Sequence, residues 1–365
     1  MKNSEILNYI LTTLEKDHKN LYHSVSKQEI EDYINSIPNI DELSDFRFDY
    51  EMRKLFAKFK DAHTQYSPPN EHIDKKLVYV QGKMYVKDGD VYKGIKSLGG
   101  LDHNEVIKKL AEMQYYETKA WLNYCIDIDI NNWVAHAMIN TVNKDGTIDC
   151  VVDNKGKEEK IKLSPISYEK YVEKGLSNKK PIYDYEILGN NVLRVNYRKC
   201  EENPDYPFSN FVEDIKRDIQ QKNITQFVLD LRGNTGGHSG IICPLTQTFK
   251  ELNLKGAVLI DNGVFSSGRW AVIEFKRELD ALLIGEPTGG ALASYGYREE
   301  YKFAGKTFSA SIDYFDFSNE FGYKGSIRPD IEVTKTIQDF KNNIDRPLAV
   351  ALNELSKEIT AEVEI

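Results

Sequence analysis

Phe227-Val228-Leu229-Asp230-Leu231-Arg232-Gly233-Asn234-Thr235-Gly236-Gly237 passes from an apolar run, short enough for a buried strand, into a turn carrying three glycines. Such a strand delivers bare backbone to whatever lies at its end. A second run, Ala257-Val258-Leu259-Ile260, enters Asp261-Asn262-Gly263-Val264-Phe265-Ser266-Ser267-Gly268, and helix-compatible residues follow from Arg269 to Arg277. A third, Ala281-Leu282-Leu283-Ile284, ends at Gly285-Glu286-Pro287-Thr288-Gly289-Gly290. Three successive strands therefore end in polar, glycine-bearing loops, and one of those loops places a serine on a strand-to-helix turn.

The pattern suits acyl transfer. A hydroxyl at a helix N-terminus develops its charge near the positive end of the helix dipole, and unpaired N–H groups there can stabilise a tetrahedral oxyanion. Each half alone has a plainer reading. Gly-Gly after a strand makes a tight connection, and Ser-Ser before a helix makes an N-cap.

Taken together and in this order, the stretches Val228–Gly237, Asp261–Gly268 and Gly285–Gly290, with Ile327-Arg328-Pro329-Asp330-Ile331-Glu332-Val333 further on, resemble the core of the C-terminal-processing (tail-specific) serine peptidases, the group that includes the tricorn protease core. The order and intervals agree across about a hundred residues, with weaker likeness over most of the chain. The resemblance implies an α/β fold with a crotonase-like core and an activity on peptide bonds.

The 365 residues, 41% hydrophobic and 29% charged, suffice for a substantial core and two or three domains. A net charge of −9 and the lack of long basic runs argue against nucleic acid or an anionic membrane as partner. Cys125, Cys150, Cys200 and Cys243 lie far apart, without the paired spacing of zinc or redox sites, so they read as reduced, mostly buried thiols; no metal or other cofactor is expected. Glu5, Glu15, Lys16 and Asp17 interrupt the first apolar residues, so no signal-peptide core is visible and a cytoplasmic location is expected, although many family relatives are exported. No run is long enough to span a bilayer.

Before the core, Ile6, Leu7, Ile10, Leu11 and Leu14 share one helical face, Ser26-Lys27-Gln28-Glu29 forms a capping box, and a third helix reads through Met52, Leu55, Phe56 and Phe59. It runs out at Lys60-Asp61-Ala62-His63-Thr64-Gln65-Tyr66, with Pro68-Pro69 beyond. On composition alone His63 reads as a helix C-terminal cation or a satisfied polar residue. Family members, however, carry an Asp-x-His-Thr-like motif at the end of their N-terminal helices, and in the tricorn-type branch its histidine is the general base.

From about Leu77 the pattern turns to short β-like runs: Leu77–Val80, Met84–Val86, and Ile139–Val142 paired across Asn143-Lys144-Asp145-Gly146 with Ile148–Val152. Asp102 begins an intervening helix. This region, centred on Gly94–Leu101, is similar to the PDZ or PDZ-derived segment of family members, and Trp121 and Trp133 read as core aromatics. The core resumes with the strand Val192–Tyr197 and a helix capped by Ser209. The expected organisation is a helical segment at 1–68 carrying the histidine motif, a PDZ-like β-rich region at 69–185 and a catalytic α/β core at 186–365. The acidic-leaning tail after Pro347 reads as a helix.

The resemblance also implies the site. In relatives the catalytic serine stands nineteen positions before the glycine opening the Gly-Glu-x-Thr motif, which from Gly285 selects Ser266 rather than Ser267. Ser267 and either Gly236 or Gly237 are the implied oxyanion donors. The bacterial processing type pairs its serine with a lysine about twenty-five residues later; here that count reaches Ala291, and neither Lys276 nor Lys302 matches. The histidine-based version remains, with His63 as base and His238, beside the Gly-Gly turn, as its rival. The branch's orienting glutamate would fall at Tyr323 or Lys324, so Glu320 is the nearest carboxylate, with Glu286 and Asp61 as alternatives. Asp230 and Arg232 read as an ion pair beneath the loop.

The functional expectation is a serine endopeptidase acting through an acyl-enzyme on unstructured polypeptides or protein tails. A catalytically inactive peptide-binding pseudoenzyme of the same fold is the alternative. Oligomeric state is open.

Overall fold

The computed structural model describes residues 1–176 and 180–363, with side chains outside position 190 and 358–363. Residues 177–179 of the expected β-rich region and the last two residues of the expected core lie outside the described residues. The chain divides into two compact units, Met1–Lys179 with Leu292–Lys324, and Lys180–Ala291 with Gly325–Ile365. No described helix is long and apolar enough to cross a membrane.

In the first unit the helices Asn3–Asp17, Lys27–Asn35 and Asp45–Lys58 form where the spacing predicts them. The Ser26 capping box closes reciprocally: Ser26 Oγ accepts from the Glu29 N–H, and Glu29 accepts from the Ser26 N–H. Their apolar faces (Ile6, Ile10, Leu14, Met52, Phe56) bury against Phe308 and Ala310 of a long hairpin, Ala293–Phe303 and Lys306–Asp316, to whose second strand Tyr66–Ser67 also pairs. A second cluster fills the antiparallel sheet of Leu77–Val80, Lys83–Asp88, Val91–Leu98, Ile148–Asn154 and Lys157–Leu163, over which pack the helices His103–Ala111, Lys119–Asp129 and Trp133–Met138. The helical segment and the β-rich region thus belong to one unit, completed by a hairpin from much later in the chain.

One strand expected here is absent. Ile139–Val142 does not pair with Ile148–Val152; Ile148–Asn154 lies instead between Val91–Leu98 and Lys157–Leu163. Helix Trp133–Met138 runs into Ile139, and Asn140 turns left-handed (φ 61) so that the Thr141 N–H reaches back to His136 O at 3.0 Å, which uses the backbone a strand would need.

The second unit is a six-stranded sheet in the order Tyr183–Leu188, Val192–Tyr197, Gln226–Asp230, Lys255–Ile260, Leu282–Gly285, Ile331–Glu332, antiparallel only at the first pair. Gln226–Asp230 is buried at every position, as a parallel strand covered on both faces should be. Alternation sends Phe227 to one face, where it meets Phe249 and Phe275 at ring distances of 4.8 and 5.6 Å from helices Cys243–Glu251 and Ser267–Leu279. Val228, Ala257, Leu259 and Ile284 face the other way, with Ala351 and Leu355 of the C-terminal helix Arg346–Val363. The helix expected to be capped by Ser209 starts two residues earlier, at Phe208, with Pro207 in the N-cap position. Its cap comes from Glu202, whose carboxylate accepts the Phe208 N–H at 2.9 Å; proline at the N-cap offers no side-chain acceptor, so one is borrowed from upstream.

Beneath the glycine loop, Asp230 bonds Arg232 Nη2 at 2.6 Å and Arg194 Nη2 at 2.8 Å, and Arg232 also holds Asp345. Burial opposes ionisation of Asp230, but the Arg232 and Arg194 guanidinium groups prevail and bring its carboxyl down to about 2. A depressed carboxyl stabilises the fold above its unfolded value of about 3.9 and loses that contribution as pH falls through about 2. Thermal melts should therefore show Asp230→Asn below the parent by about 2 kcal/mol at neutral pH, with the gap closing between about pH 4 and 2. A gap constant down to pH 2 would show that the pair adds nothing specific to the charged form.

Candidate active site

The four sequence motifs meet at the carboxyl ends of this parallel sheet. After Asp230 the chain turns through Gly233 and is anchored by Asn234, a fully buried side chain. Asn234 Nδ2 donates to Tyr197 O at 2.8 Å, and its Oδ1 accepts the Gly236 N–H at 2.9 Å. The next residues run along Cys200: Cys200 N donates to Gly236 O at 3.1 Å and His238 N to Cys200 O at 2.7 Å. Burial pushes the Cys200 thiol up to about 11, so it stands as a packed neutral group.

The serine turn hangs on this loop. Phe265 N donates to Asn234 O at 3.0 Å, and one oxygen of Asp261 accepts both the Gly233 N–H (2.8 Å) and the Gly263 N–H (2.9 Å), tying the two loops together. Burial raises the Asp261 carboxyl, against the pull of Lys335 and those two N–H groups. Ser266 sits at the N-cap position of helix Ser267–Leu279 with φ 50 and ψ −123, and its hydroxyl caps nothing. A non-glycine residue in that region is strained by roughly 1–3 kcal/mol, and such strain collects at functional sites.

Gly236 packs directly against the turn. A Cβ there, already disfavoured by φ 109, would come within 2.8 Å of Ser266 Cβ and 2.9 Å of Ser267 N, so only glycine allows the approach. Ser267 differs from Ser266: its hydroxyl donates to Gly237 O at 2.7 Å and contacts Ser239 Oγ at 2.9 Å, so it is committed to the loop. Of the expected oxyanion donors, Gly236 has its N–H occupied by Asn234, whereas the N–H groups of Gly237 and Ser267 are used by no other described residue of this unit.

The third loop closes on the second. Glu286 N donates to Ile260 O at 3.0 Å and Gly290 N to Val264 O at 2.9 Å, while the Thr288 hydroxyl accepts Ile327 N and donates to Gly290 O. Burial and the Asp261 charge raise the Glu286 carboxyl, which places it with Asp261 in this unit rather than in the unit of His63. Lys276 pairs with Asp280 and Asp330, and Lys302 with Glu300. His238 is exposed and accepts the Gly240 N–H on Nδ1.

His63 belongs to the first unit, just beyond helix Asp45–Lys58, and is 7% exposed. Its N–H donates to Asp61 Oδ1 at 2.8 Å, and its carbonyl accepts from Ser309 Oγ at 2.8 Å. Asp61 is in turn held by His18 Nε2 at 2.9 Å and Thr64 Oγ1 at 2.7 Å, with both the His18 and Asp61 side chains sealed from solvent. Burial alone would raise the Asp61 carboxyl, yet the His18 hydrogen bond, the His63 charge and the Ser311 and Thr64 hydroxyls hold it well below the usual carboxylate range.

One donor atom each from Asp61, His63 and Glu117 lie within 4.8 Å of one another. Such a trio has the donor types of a metal site, but Asp61 already spends both oxygens on His18, Thr64 and the His63 backbone. Glu117, whose Oε1 accepts the Ala62 N–H at 3.3 Å, carries no sequence signal; it follows an unrelated helix. Glu320, expected to orient His63, stands exposed in the short helix Ser318–Phe321 and is not part of this group.

No known family model matches the sequence, and no curated protein does. Solved structures do match in fold. Mature CPAF complexed with lactacystin is 10% identical with a TM-score of 0.68 over 98% of both chains, and a serine-to-alanine mutant of CPAF is 11% identical with a TM-score of 0.69 over 93% of this chain and 94% of that one. A candidate peptidase from Parabacteroides merdae is 13% identical, with a TM-score of 0.53 over 97% of each chain. The chain has the fold of the C-terminal-processing serine peptidases, the family that its motifs resemble.

Proposed function

We propose that this protein is a serine endopeptidase that cleaves extended, unstructured polypeptide through an acyl-enzyme on Ser266. The observation that carries the reading is the strained turn at Ser266, its hydroxyl uncommitted to a cap, together with the N–H groups of Gly237 and Ser267 that no other described residue of this unit uses. His63 takes the Ser266 Oγ proton as Oγ attacks the scissile carbonyl. The oxyanion is stabilised by the N–H groups of Gly237 and Ser267, with Gly236 supplying the close packing instead of a donor. Collapse expels the amine, which leaves with the proton from His63, and water then hydrolyses the ester by the reverse relay. Asp61 and Glu117, whose carboxylates lie with the His63 ring in one group of atoms within 4.8 Å, orient the base in this reading in place of Glu320. In the same reading the second unit is a crotonase-like core and the sheet of residues 77–163 is PDZ-derived.

Labelling with a fluorophosphonate tests the site without knowledge of the substrate. The protein should label stoichiometrically at Ser266 and degrade casein in preference to folded proteins. An inert serine with casein intact would instead mark a peptide-binding pseudoenzyme.

A further inference from the structure

Beside His63 the first unit has a cavity of about 560 Å³, within the range of ligand sites. Its walls are the rings of Tyr116, Tyr295, Tyr314 and His23, with Lys60 and Glu117 at its margin. Glu117 also belongs to the group around the imidazole, so the cavity and the proposed base share a wall. Lys60 is drawn over the Tyr116 ring at 4.3 Å, which turns its charge onto an aromatic face. The remaining rings are mutually tilted, Tyr295 against Tyr314 at 4.9 Å and His23 against Tyr295 at 4.4 Å. A frame of tilted rings offers a further ring both faces and edges.

The backbone here is suited to an extended chain. Strand Ala293–Phe303 is the outer strand of its three-stranded sheet and is paired on one side only among the described residues. Ala293, Ser294 and Tyr295 all line the cavity. Successive side chains of a strand alternate faces, so a cavity touching three in a row reaches the strand's edge as well as one face. Tyr295 lies directly opposite Tyr314, and Gly296 lies against His63 Cε1, 3.7 Å from where a Cβ would stand. The next residue, Tyr297, interrupts the pairing with φ 53 while 75% exposed, an unusual conformation for a bulky ring.

We propose that this cavity is a substrate subsite that takes an aromatic side chain from a polypeptide lying along the edge of Ala293–Phe303, with Tyr295 and Tyr314 setting the preference; this rests on the peptidase reading. Backbone pairing to the edge supplies affinity and the ring frame supplies selectivity. Tyr295 and Tyr314 stand on paired strands, so that part of the frame is present before substrate arrives.

Calorimetry with capped Ala-Phe-Ala and Ala-Ala-Ala tripeptides, together with mass-spectrometric mapping of casein cleavage, tests the assignment. The phenylalanine peptide should bind about tenfold or more tightly, and cuts should cluster at one fixed register from aromatic residues. In Tyr314→Ala, at a position already 44% exposed, and in Tyr295→Ala, its partner across the hairpin, the ratio of the two affinities should fall to within about twofold. Equal binding of the two peptides by the parent protein, or a ratio unchanged in both variants, would overturn the subsite. A preserved ratio in a protein that resists fluorophosphonate would retain the subsite and discard the peptidase.

Discussion

Ser266→Ala should abolish fluorophosphonate labelling and reduce kcat by about a millionfold, the scale of loss when a serine nucleophile is removed. Alanine keeps the same Cβ at φ 50 and ψ −123, so the substitution leaves the turn and its strain as they are, and the melting temperature should not move. The neighbouring change separates the two serines. Ser267→Ala removes a hydroxyl that holds Gly237 O at 2.7 Å and Ser239 at 2.9 Å but leaves its own N–H in place. It should loosen the glycine loop and cost about tenfold in kcat while labelling persists, in keeping with the loss of one hydrogen bond. Loss of labelling in Ser267→Ala with retention in Ser266→Ala would reverse the assignment of nucleophile and N–H donor.

His63→Ala should lower kcat by at least about a thousandfold, because an alcohol without a general base is a poor nucleophile. The base must be neutral to accept a proton, so kcat/KM should rise with pH as the imidazole deprotonates and reach a plateau above. Replacing its supports distinguishes the carboxylates. Glu117→Gln should lower kcat and move the pH profile, whereas Glu320→Gln, exposed and outside the group, should leave both within about twofold. A profile moved by Glu320→Gln and indifferent to Glu117→Gln would restore the glutamate implied by the family motif. A dead His238→Ala with an active His63→Ala would transfer the role of base.

Much of this organisation is legible from local sequence. Phe227–Leu231, Ala257–Ile260 and Ala281–Ile284 are apolar runs ended by glycine, and they form adjacent parallel strands. Parallel strands bring their carboxyl ends to one side, so motifs that follow successive strands must converge. Asp261–Gly268, Gly285–Gly290 and Ile327–Val333 do so through backbone bonds such as Gly290 N to Val264 O and Thr288 N to Ile327 O. The Ser26 capping box is equally local, since both partners lie within one turn of helix.

What periodicity and spacing determined was therefore which segments are strands or helices, and that a glycine turn and a serine turn end neighbouring strands. Tertiary structure decided which atoms are available. It commits the Gly236 N–H to Asn234 and the Ser267 hydroxyl to Gly237, gives the helix at Phe208 its cap from Glu202, and ends the segment at Ile139 in a turn back to His136. It also surrounds His63 with Asp61, itself gripped by His18 forty-three positions earlier, and with Glu117 from a different segment. A hydrogen bond depends on a few tenths of an ångström between groups that the chain brings together from far apart, whereas the pattern of burial depends only on which face each residue occupies; the second is written along the sequence and the first is not.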